Sequence, residues 1–323
     1  GHVRSLSVVG SLVYVVGEYS GLQIIDVSNP ANPVRRGAYY TSGTGTGVII
    51  VGSQAYVADG ISGLQIIDVS NLANPFLRGA YDTPGFACGV SVVGSLAYVA
   101  DDGRGLQIID VSNPANPTWR GAYDTPGVAD AVIVVGTLAY VADGDSGLQI
   151  IDVTNPASPF LRGAYDTPGY AIDVSVVGGL AYVADDTGGL QIIDVSNPAN
   201  PTWRGAYDTP GQHPSGVSVV GSLAYVADGT SGLQIIDVSN PANPTWRGAY
   251  DTPGSAAGVS VVGSLAYVAD WHGGLQIIDV SNPANPTWRG AFDTSGYAHD
   301  VGVVGRLAYV ADESGGLLIL RMR

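Results

Sequence analysis

Short apolar segments of about five residues alternate along the whole chain with turn residues rich in glycine, proline, asparagine and aspartate. Within residues 86–127 the apolar segments are 89–93, 96–100, 106–111 and 119–123. Enrichment in valine, isoleucine and tyrosine, with a turn about every ten residues, is typical of β-strands. No segment shows helical periodicity, so the pattern predicts an all-β protein.

The third apolar segment is apolar on both of its faces. Leu106 and Ile108 lie on one face, and Ile109 and Val111 lie on the other. A strand that is covered on both sides belongs to a sheet packed between two other sheets. We therefore expect several small sheets stacked face to face.

The same segment, Gly-Leu-Gln-Ile-Ile-Asp-Val-Ser, recurs along the chain. It begins, with one Thr for Ser, at Gly21, Gly63, Gly105, Gly147, Gly189, Gly232 and Gly274, and a divergent copy begins at Gly316. The spacing is 42 residues except for one interval of 43 between Gly189 and Gly232. Four strands in each repeat of this length predict a β-propeller.

The prediction is a single domain over residues 1–323, an eight-bladed propeller of four-stranded antiparallel blades. The chain ends on a third strand, so we expect the last blade to lack its outer strand. Closure of the ring would then depend on packing of the eighth blade against the first.

The repeat resembles the LVIVD-repeat family of β-propellers. Leu-Gln-Ile-Ile-Asp-Val stands where that family has Leu-Val-Ile-Val-Asp-Val, and Asn-Pro-Ala-Asn-Pro at 113–117 matches its usual continuation. The resemblance covers the whole chain. It implies the propeller fold and an extracellular or cell-surface location, and it transfers no functional residue because the family has no shared activity.

Composition excludes several kinds of partner and chemistry. The net charge is −15, whereas nucleic acids and anionic membrane surfaces require a basic face. The chain has no lysine and a single cysteine, Cys88, which rules out lysine-based catalysis and an intrachain disulfide. No apolar run is long enough to cross a membrane. We expect a monomer without a cofactor, without a bound metal and without membrane insertion.

Differences between the repeats concentrate in two of the four connections. The turns after the first and third strands are nearly constant, whereas those after the second and fourth strands vary. In an up-and-down blade the two variable connections emerge on the same face. Side-chain diversity on one face of a rigid fold is typical of a binding site, although free drift of unpacked loops would produce the same diversity.

Candidate ligand-binding residues are the aromatic and titratable side chains of these variable connections. Exposed aromatic residues with polar neighbours suit a protein or carbohydrate ligand. The candidates are Tyr19, Phe86, Asp130, Tyr170, Asp173, His213, Trp271, His272, Tyr297, His299 and Asp300.

The sequence leaves three functions open. The first is a non-enzymatic binding or structural scaffold, which we favour. The second is a hydrolase or lyase that uses Asp130, Asp173 and His299 at the channel mouth for acid–base chemistry. The third is a recently amplified or engineered repeat that has no selected ligand, since the repeats are almost identical.

Overall fold

The computed structural model describes residues 3–9, 12–17, 21–26, 34–211, 213–271, 273, 275–292, 298–304, 307–312 and 316–321. Almost all regular structure in these ranges is β-strand, and a single 3₁₀ turn lies at Asp186–Gly188. The all-β prediction is confirmed.

Each repeat contributes consecutive strands to one sheet. The strands of the first four repeats are β1 (Val3–Val9), β2 (Leu12–Gly17), β3 (Leu22–Asp26), β4 (Val34–Tyr39), β5 (Gly47–Val51), β6 (Gln54–Ala58), β7 (Leu64–Asp68), β8 (Phe76–Tyr81), β9 (Gly89–Val93), β10 (Leu96–Ala100), β11 (Leu106–Asp110), β12 (Thr118–Tyr123), β13 (Ala131–Val135), β14 (Leu138–Ala142), β15 (Leu148–Asp152) and β16 (Phe160–Tyr165). The strands of the last four are β17 (Asp173–Val177), β18 (Leu180–Ala184), β19 (Leu190–Asp194), β20 (Thr202–Tyr207), β21 (Pro214–Val220), β22 (Leu223–Asp228), β23 (Leu233–Asp237), β24 (Thr245–Tyr250), β25 (Gly258–Val262), β26 (Leu265–Ala269), β27 (Leu275–Asp279), β28 (Thr287–Phe292), β29 (Ala298–Val304), β30 (Leu307–Asp312) and β31 (Gly316–Arg321).

The sheets are the blades of a β-propeller, numbered 1 to 8 in chain order. Within the described ranges, blades 1 to 7 have four antiparallel strands in sequence order, and blade 8 has the three strands β29, β30 and β31. The eight-bladed fold with a three-stranded last blade is therefore confirmed. The first strands of neighbouring blades lie side by side, and β1 lies between β5 and β29. The assignment of residues 1–323 to one domain stays a prediction.

The core consists of layers between adjacent blades. Leu148 and Ile150 of β15 pack with Val183 of blade 5, while Ile151 on the opposite face of the same strand packs with Val141 and Ile108. All four of these leucine and isoleucine side chains are fully buried. This two-sided burial explains why the third strand is the most constant part of the repeat.

The constant face, formed by the connections after first and third strands, also holds neighbouring blades together. Gly121 in the outer strand of blade 3 lies so close to the next blade that a Cβ atom there would be 2.1 Å from the carbonyl oxygen of Pro156. The Ser112 backbone amide donates a hydrogen bond to Asp110 over 2.9 Å, which fixes the start of the turn. The near-constancy of these turns is thus explained by packing between blades.

Candidate binding face

The two variable connections of each repeat meet on one side of the molecule, which we call the variable face. We call the segment after a second strand a tip and the segment between two blades an inter-blade connection. Antiparallel bridges join a tip to the connection that leaves the same blade, at Gly60 and Ala87, Asp102 and Ala129, Gly144 and Ala171, and Gly229 and Ala256. The variable connections are therefore ordered by backbone pairing.

A buried aspartate fixes each tip to the connection that enters the same blade. In blade 4, Asp143 is fully buried and accepts hydrogen bonds from the Thr125 hydroxyl at 2.5 Å and from the Gly127 amide at 2.9 Å. We call this arrangement the Asp–Thr–Gly cluster. It recurs in blades 2 to 7 on Asp59, Asp101, Asp143, Asp185, Asp228 and Asp270.

A buried glutamine and a glycine complete the fixed backbone of each tip. In blade 4 the Gln149 side-chain amide donates to the Ser146 carbonyl oxygen over 2.7 Å. Gly147 has a φ of +66°, and a Cβ there would lie 2.4 Å from the Thr167 nitrogen. Only glycine satisfies both requirements. The backbones of the tips in blades 2 to 7 are thus held by the same hydrogen bonds, while most of the variation between these tips is in their side chains.

The predicted residues Asp130 and Asp173 line a cavity at the centre of the variable face. Its volume is about 490 Å³, and its wall is formed by residues at or just before the first strands of blades 2 to 7, including Thr46, Cys88 and Ser215. Asp173 accepts hydrogen bonds from the backbone amides of Val174 at 2.8 Å and Val217 at 3.3 Å.

Burial dominates the electrostatics of this cavity. It raises the pKa of Asp130 to about 6, with a smaller contribution from the neighbouring carboxylates of Asp102 and Asp143. Burial also raises the pKa of Asp173. The pKa of the Cys88 thiol is raised to about 12 by burial and by nearby aspartates, so the thiol stays protonated at neutral pH.

The predicted aromatic residues Phe86 and Tyr170 are half-buried and lie against the tips. The Phe86 ring is close to Gly60, and the Tyr170 ring is close to Gly144. The Tyr170 hydroxyl is positioned to donate a hydrogen bond to Asp130, which lowers the pKa of that carboxyl against the effect of burial. Both half-buried rings are therefore part of the packing of the face.

Two further predicted residues, His213 and Trp271, lie at a second cavity of about 460 Å³. The His213 side chain is 67% exposed, and its Nδ1 atom lies 2.7 Å from a carboxylate oxygen of Asp186. Trp271 is 40% exposed and adopts a φ of +39°, which is unusual for a residue with a side chain. This cavity lies between the tips of blades 5, 6 and 7.

The other predicted residues cannot be placed as side chains. Tyr19, His272 and Tyr297 lie outside the described residues, and for His299 and Asp300 the structure describes only their backbone in β29. Among the residues that the structure does describe, no group of three histidine, cysteine, aspartate or glutamate side chains could hold a metal ion.

The variable face is acidic. The acidic residues that do not belong to the repeat pattern and that the structure describes in these loops are Asp102, Asp130, Asp145, Asp173 and Asp186. Arg104 is the only arginine in the described tips and inter-blade connections. A partner with positive charge would therefore be favoured at this face.

Sequence reasoning missed several residues of the second cavity, namely Asp186, Ser215, Thr230 and Ser255. Two signals could have indicated them. The single 43-residue interval places an extra residue near His213, and Ser255 is small where Phe86 and Tyr170 stand in other repeats.

The fold and its repeated tips define the class of this protein as an eight-bladed β-propeller with one variable face. The sequence profile of the LVIVD repeat matches residues 1–41, 42–83, 84–125, 126–167, 168–209, 211–252, 253–294 and 295–320. The chain therefore belongs to the LVIVD-repeat family. No curated protein matches the sequence.

Solved structures with the same fold are very different in sequence. Sqt1 from Saccharomyces cerevisiae superposes with a TM-score of 0.83 at 10% identity, covering 99% of this chain and 96% of that one. Sqt1 from Chaetomium thermophilum, bound to the N-terminus of the ribosomal protein L10, has a TM-score of 0.78 at 13% identity with coverages of 99% and 96%. The computationally designed Ika8 protein has a TM-score of 0.80 at 4% identity, again with coverages of 99% and 96%. These similarities show the fold alone.

In the described part of the chain, no helix has the length and apolar character needed to span a membrane.

Proposed function

We propose that this protein is a non-enzymatic binding scaffold whose variable face contacts a partner protein. The observation that carries the proposal is the contrast within that face. The Asp–Thr–Gly cluster fixes the backbone in each of blades 2 to 7, whereas the side chains on this backbone differ from blade to blade. Rigid support beneath variable side chains is how binding surfaces are built on repeat folds.

A protein partner is supported by the charge of the face and by one structural neighbour. The described face carries five unpatterned aspartates and Arg104, which suits a partner with basic residues. The propeller Sqt1 from Chaetomium thermophilum is bound to the N-terminus of a ribosomal protein. A carbohydrate ligand, an extracellular or cell-surface location and a monomeric state stay predictions from the sequence.

The test compares two variants that add the same charge to opposite faces. The variable-face variant combines Ile61→Arg, Thr230→Arg and Trp271→Arg, and the control combines Ser95→Arg, Thr137→Arg and Ser222→Arg on the constant face. All six parent residues are exposed. Binding of parent and variants to protein and glycan arrays would be measured side by side.

We expect the parent to bind one or more proteins on the array, the variable-face variant to lose that binding and the control to keep it. A parent that binds nothing would contradict the proposal and favour a repeat protein without a selected ligand. Equal loss in both variants would also contradict it, because the effect would then follow from added charge.

A catalytic role is favoured by one observation only, the raised pKa values of Asp130 and Asp173 in one cavity. Groups with such pKa values are typical of acid–base catalysis. Hydrolysis of model ester, glycoside and phosphate substrates by the parent, with loss in Asp130→Asn, would replace the binding proposal. Equal background rates in parent and variant would leave Asp130 as a buried structural carboxyl.

A further inference from the structure

An aromatic ring covers the tip glycine in two blades. A Cβ atom at Gly60 in blade 2 would lie 2.8 Å from two ring carbons of Phe86, and one at Gly144 in blade 4 would lie 2.9 Å from two ring carbons of Tyr170. The ring comes from the connection that leaves the same blade. The absence of a side chain on the glycine thus creates a place that is shaped for a six-membered aromatic ring.

Blade 6 has the same glycine with a small residue in place of the ring. Gly229 has a φ of +52° and bridges Ala256, as Gly60 bridges Ala87 and Gly144 bridges Ala171. The residue that corresponds to Phe86 and Tyr170 is Ser255. A Cβ at Gly229 would be 3.4 Å from the His213 Cβ and 3.8 Å from the Ser255 hydroxyl, and no ring carbon is among its nearest described neighbours.

The second cavity of the variable face opens at this position, and we call it the blade-6 niche. Ile172, Ala256 and Ala257 contribute apolar surface, and Trp271 adds an indole that is 40% exposed. Its volume of about 460 Å³ exceeds that of one aromatic side chain. The lining combines this apolar surface with polar side chains from Asp186, His213, Ser215, Thr230 and Ser255. Such a combination is typical of a ligand-binding cavity.

The extra residue in the connection between blades 5 and 6 shapes one wall of the niche. The extra residue lies before Pro214, because Pro214 faces Asp228 in blade 6 as Ala298 faces Asp312 in blade 8. His213 belongs to this lengthened segment, and its imidazole pairs with Asp186. The departure of the repeat from its 42-residue period therefore coincides with the niche.

We propose that the blade-6 niche binds an aromatic side chain of the partner protein, in the manner in which blades 2 and 4 bind Phe86 and Tyr170. This inference rests on the proposed function and names the chemistry that the partner must present. The acidic face further favours a partner in which basic residues flank the aromatic side chain.

The niche suits both phenylalanine and tyrosine. In blade 2 the Phe86 ring occurs together with Thr46, which takes the position of Ser215 and whose hydroxyl donates to the Ala87 carbonyl oxygen over 2.6 Å. In blade 4 the Tyr170 hydroxyl points towards Asp130, the residue just before the first strand of that blade. Ser215 takes the corresponding position in blade 6. Its hydroxyl donates to the Ala257 carbonyl oxygen at 2.9 Å and retains lone pairs that can accept a hydrogen bond from a phenol. The rings of Phe86 and Tyr170 provide a precedent within this protein for an aromatic ligand, and a carbohydrate ring has no such precedent.

The first experiment titrates p-cresol, the side chain of tyrosine, into the protein and follows the NMR signals of Gly229 and Trp271. Methyl α-glucopyranoside is titrated in parallel. In Ser255→Tyr the chain supplies its own ring to the niche, and Ser255→Thr is the matched control without a ring. In Tyr170→Ser the equivalent position in blade 4 is opened.

We expect the parent and Ser255→Thr to bind one p-cresol with millimolar affinity, because a ligand of eight heavy atoms makes few contacts. Ser255→Tyr should bind it at least tenfold more weakly, and Tyr170→Ser should gain a second site at Gly144. Unchanged binding in Ser255→Tyr, or signals that shift with the glucoside and not with p-cresol, would overturn the inference.

The array experiment separates this inference from the proposed function. Loss of a protein partner in the variable-face variant, together with full binding by Ser255→Tyr, would overturn the aromatic niche and leave the proposed function standing. Binding of p-cresol by a parent that binds no protein on the array would overturn the proposed function and leave only a small-molecule site.

Discussion

The tips of blades 4 and 6 share one backbone and differ in what covers it. Both have a fully buried aspartate, Asp143 or Asp228, that accepts hydrogen bonds from a threonine hydroxyl and a glycine amide. Both continue into a glycine with positive φ that bridges an alanine of the next connection. Blade 4 adds the Tyr170 ring, whereas blade 6 has Ser255 and a cavity.

This difference separates the residues needed for folding from those available for binding. The aspartate, threonine and glycine are constant because each has a partner within the protein. The covering residue is variable because either a ring or a smaller side chain is compatible with the same backbone. The predictions below test this separation.

The largest effect is expected from the buried aspartate. Asp143→Ala leaves the Thr125 hydroxyl and the Gly127 amide without their acceptor, which should lower the free energy of unfolding by about 3 kcal/mol. Asp145→Ala, in the same tip and exposed, should change it by less than about 0.5 kcal/mol. Urea unfolding followed by circular dichroism measures both. Equal effects would show that the cluster does not hold the tip.

The next effect concerns two glycines with the same backbone conformation. Gly147 and Gly136 have φ values of +66° and +64°, but a Cβ at Gly147 would lie 2.4 Å from the Thr167 nitrogen whereas one at Gly136 would meet nothing within 4 Å. Gly136→Ala should cost about 1 kcal/mol for the left-handed conformation alone. Gly147→Ala should cost at least about 3 kcal/mol because the backbone must also move. Similar thermal stabilities of the two variants would contradict this account.

A smaller effect is expected from exchanging the residues that lie over the tip glycines of blades 4 and 6, Tyr170 and Ser255. Tyr170→Ser removes a half-buried ring from Gly144 and should cost about 2 kcal/mol. Ser255→Tyr adds a ring over Gly229 and should stabilise the protein by up to about 1 kcal/mol. Differential scanning calorimetry measures whether each substitution lowers or raises the stability of the protein. Destabilisation by Ser255→Tyr would mean that the blade-6 niche does not have the shape of a ring.

The smallest effect is a pH dependence that involves Asp130. Its pKa is raised in the folded protein from 3.8 to about 6, chiefly by burial. The native state therefore binds the proton more tightly, and the resulting stability is fully present below pH 3.8 and lost as the pH rises through about 6. Between pH 4 and pH 7 the Tm of the parent should fall by about 1–2 °C more than that of Asp130→Asn, a value reduced for the partial exposure of the carboxyl. An equal decrease of Tm in the parent and in Asp130→Asn would contradict the raised pKa of Asp130.

The fold could be predicted from the sequence because the same pattern of apolar segments and turn residues recurs in eight repeats. The double-sided burial of Leu106, Ile108 and Ile109 and the turn after each strand follow from residue type alone. The three strands of blade 8 in the described residues correspond to the three apolar segments of the last repeat. The confirmed family and fold both rest on these repeated features.

The candidate site could be predicted only in part. The sequence placed Asp130 and Asp173 at the channel mouth, where both line the central cavity. It could not show that Phe86 and Tyr170 lie on tip glycines, because the approach of a ring to Gly60 or Gly144 depends on tertiary packing. Ser255 was overlooked for the same reason, since a small residue is significant only once the place of the missing ring is known.

The central claim is that the variable face has a rigid backbone beneath variable side chains. Amide hydrogen exchange at Gly85, Gly127 and Gly211 tests it most directly, because each of these amides donates to a buried aspartate of the Asp–Thr–Gly cluster. We predict exchange as slow as that of the adjoining strands. Exchange at the rate of an unprotected peptide would mean that the inter-blade connections are mobile and are not held to the tips, and it would contradict the account.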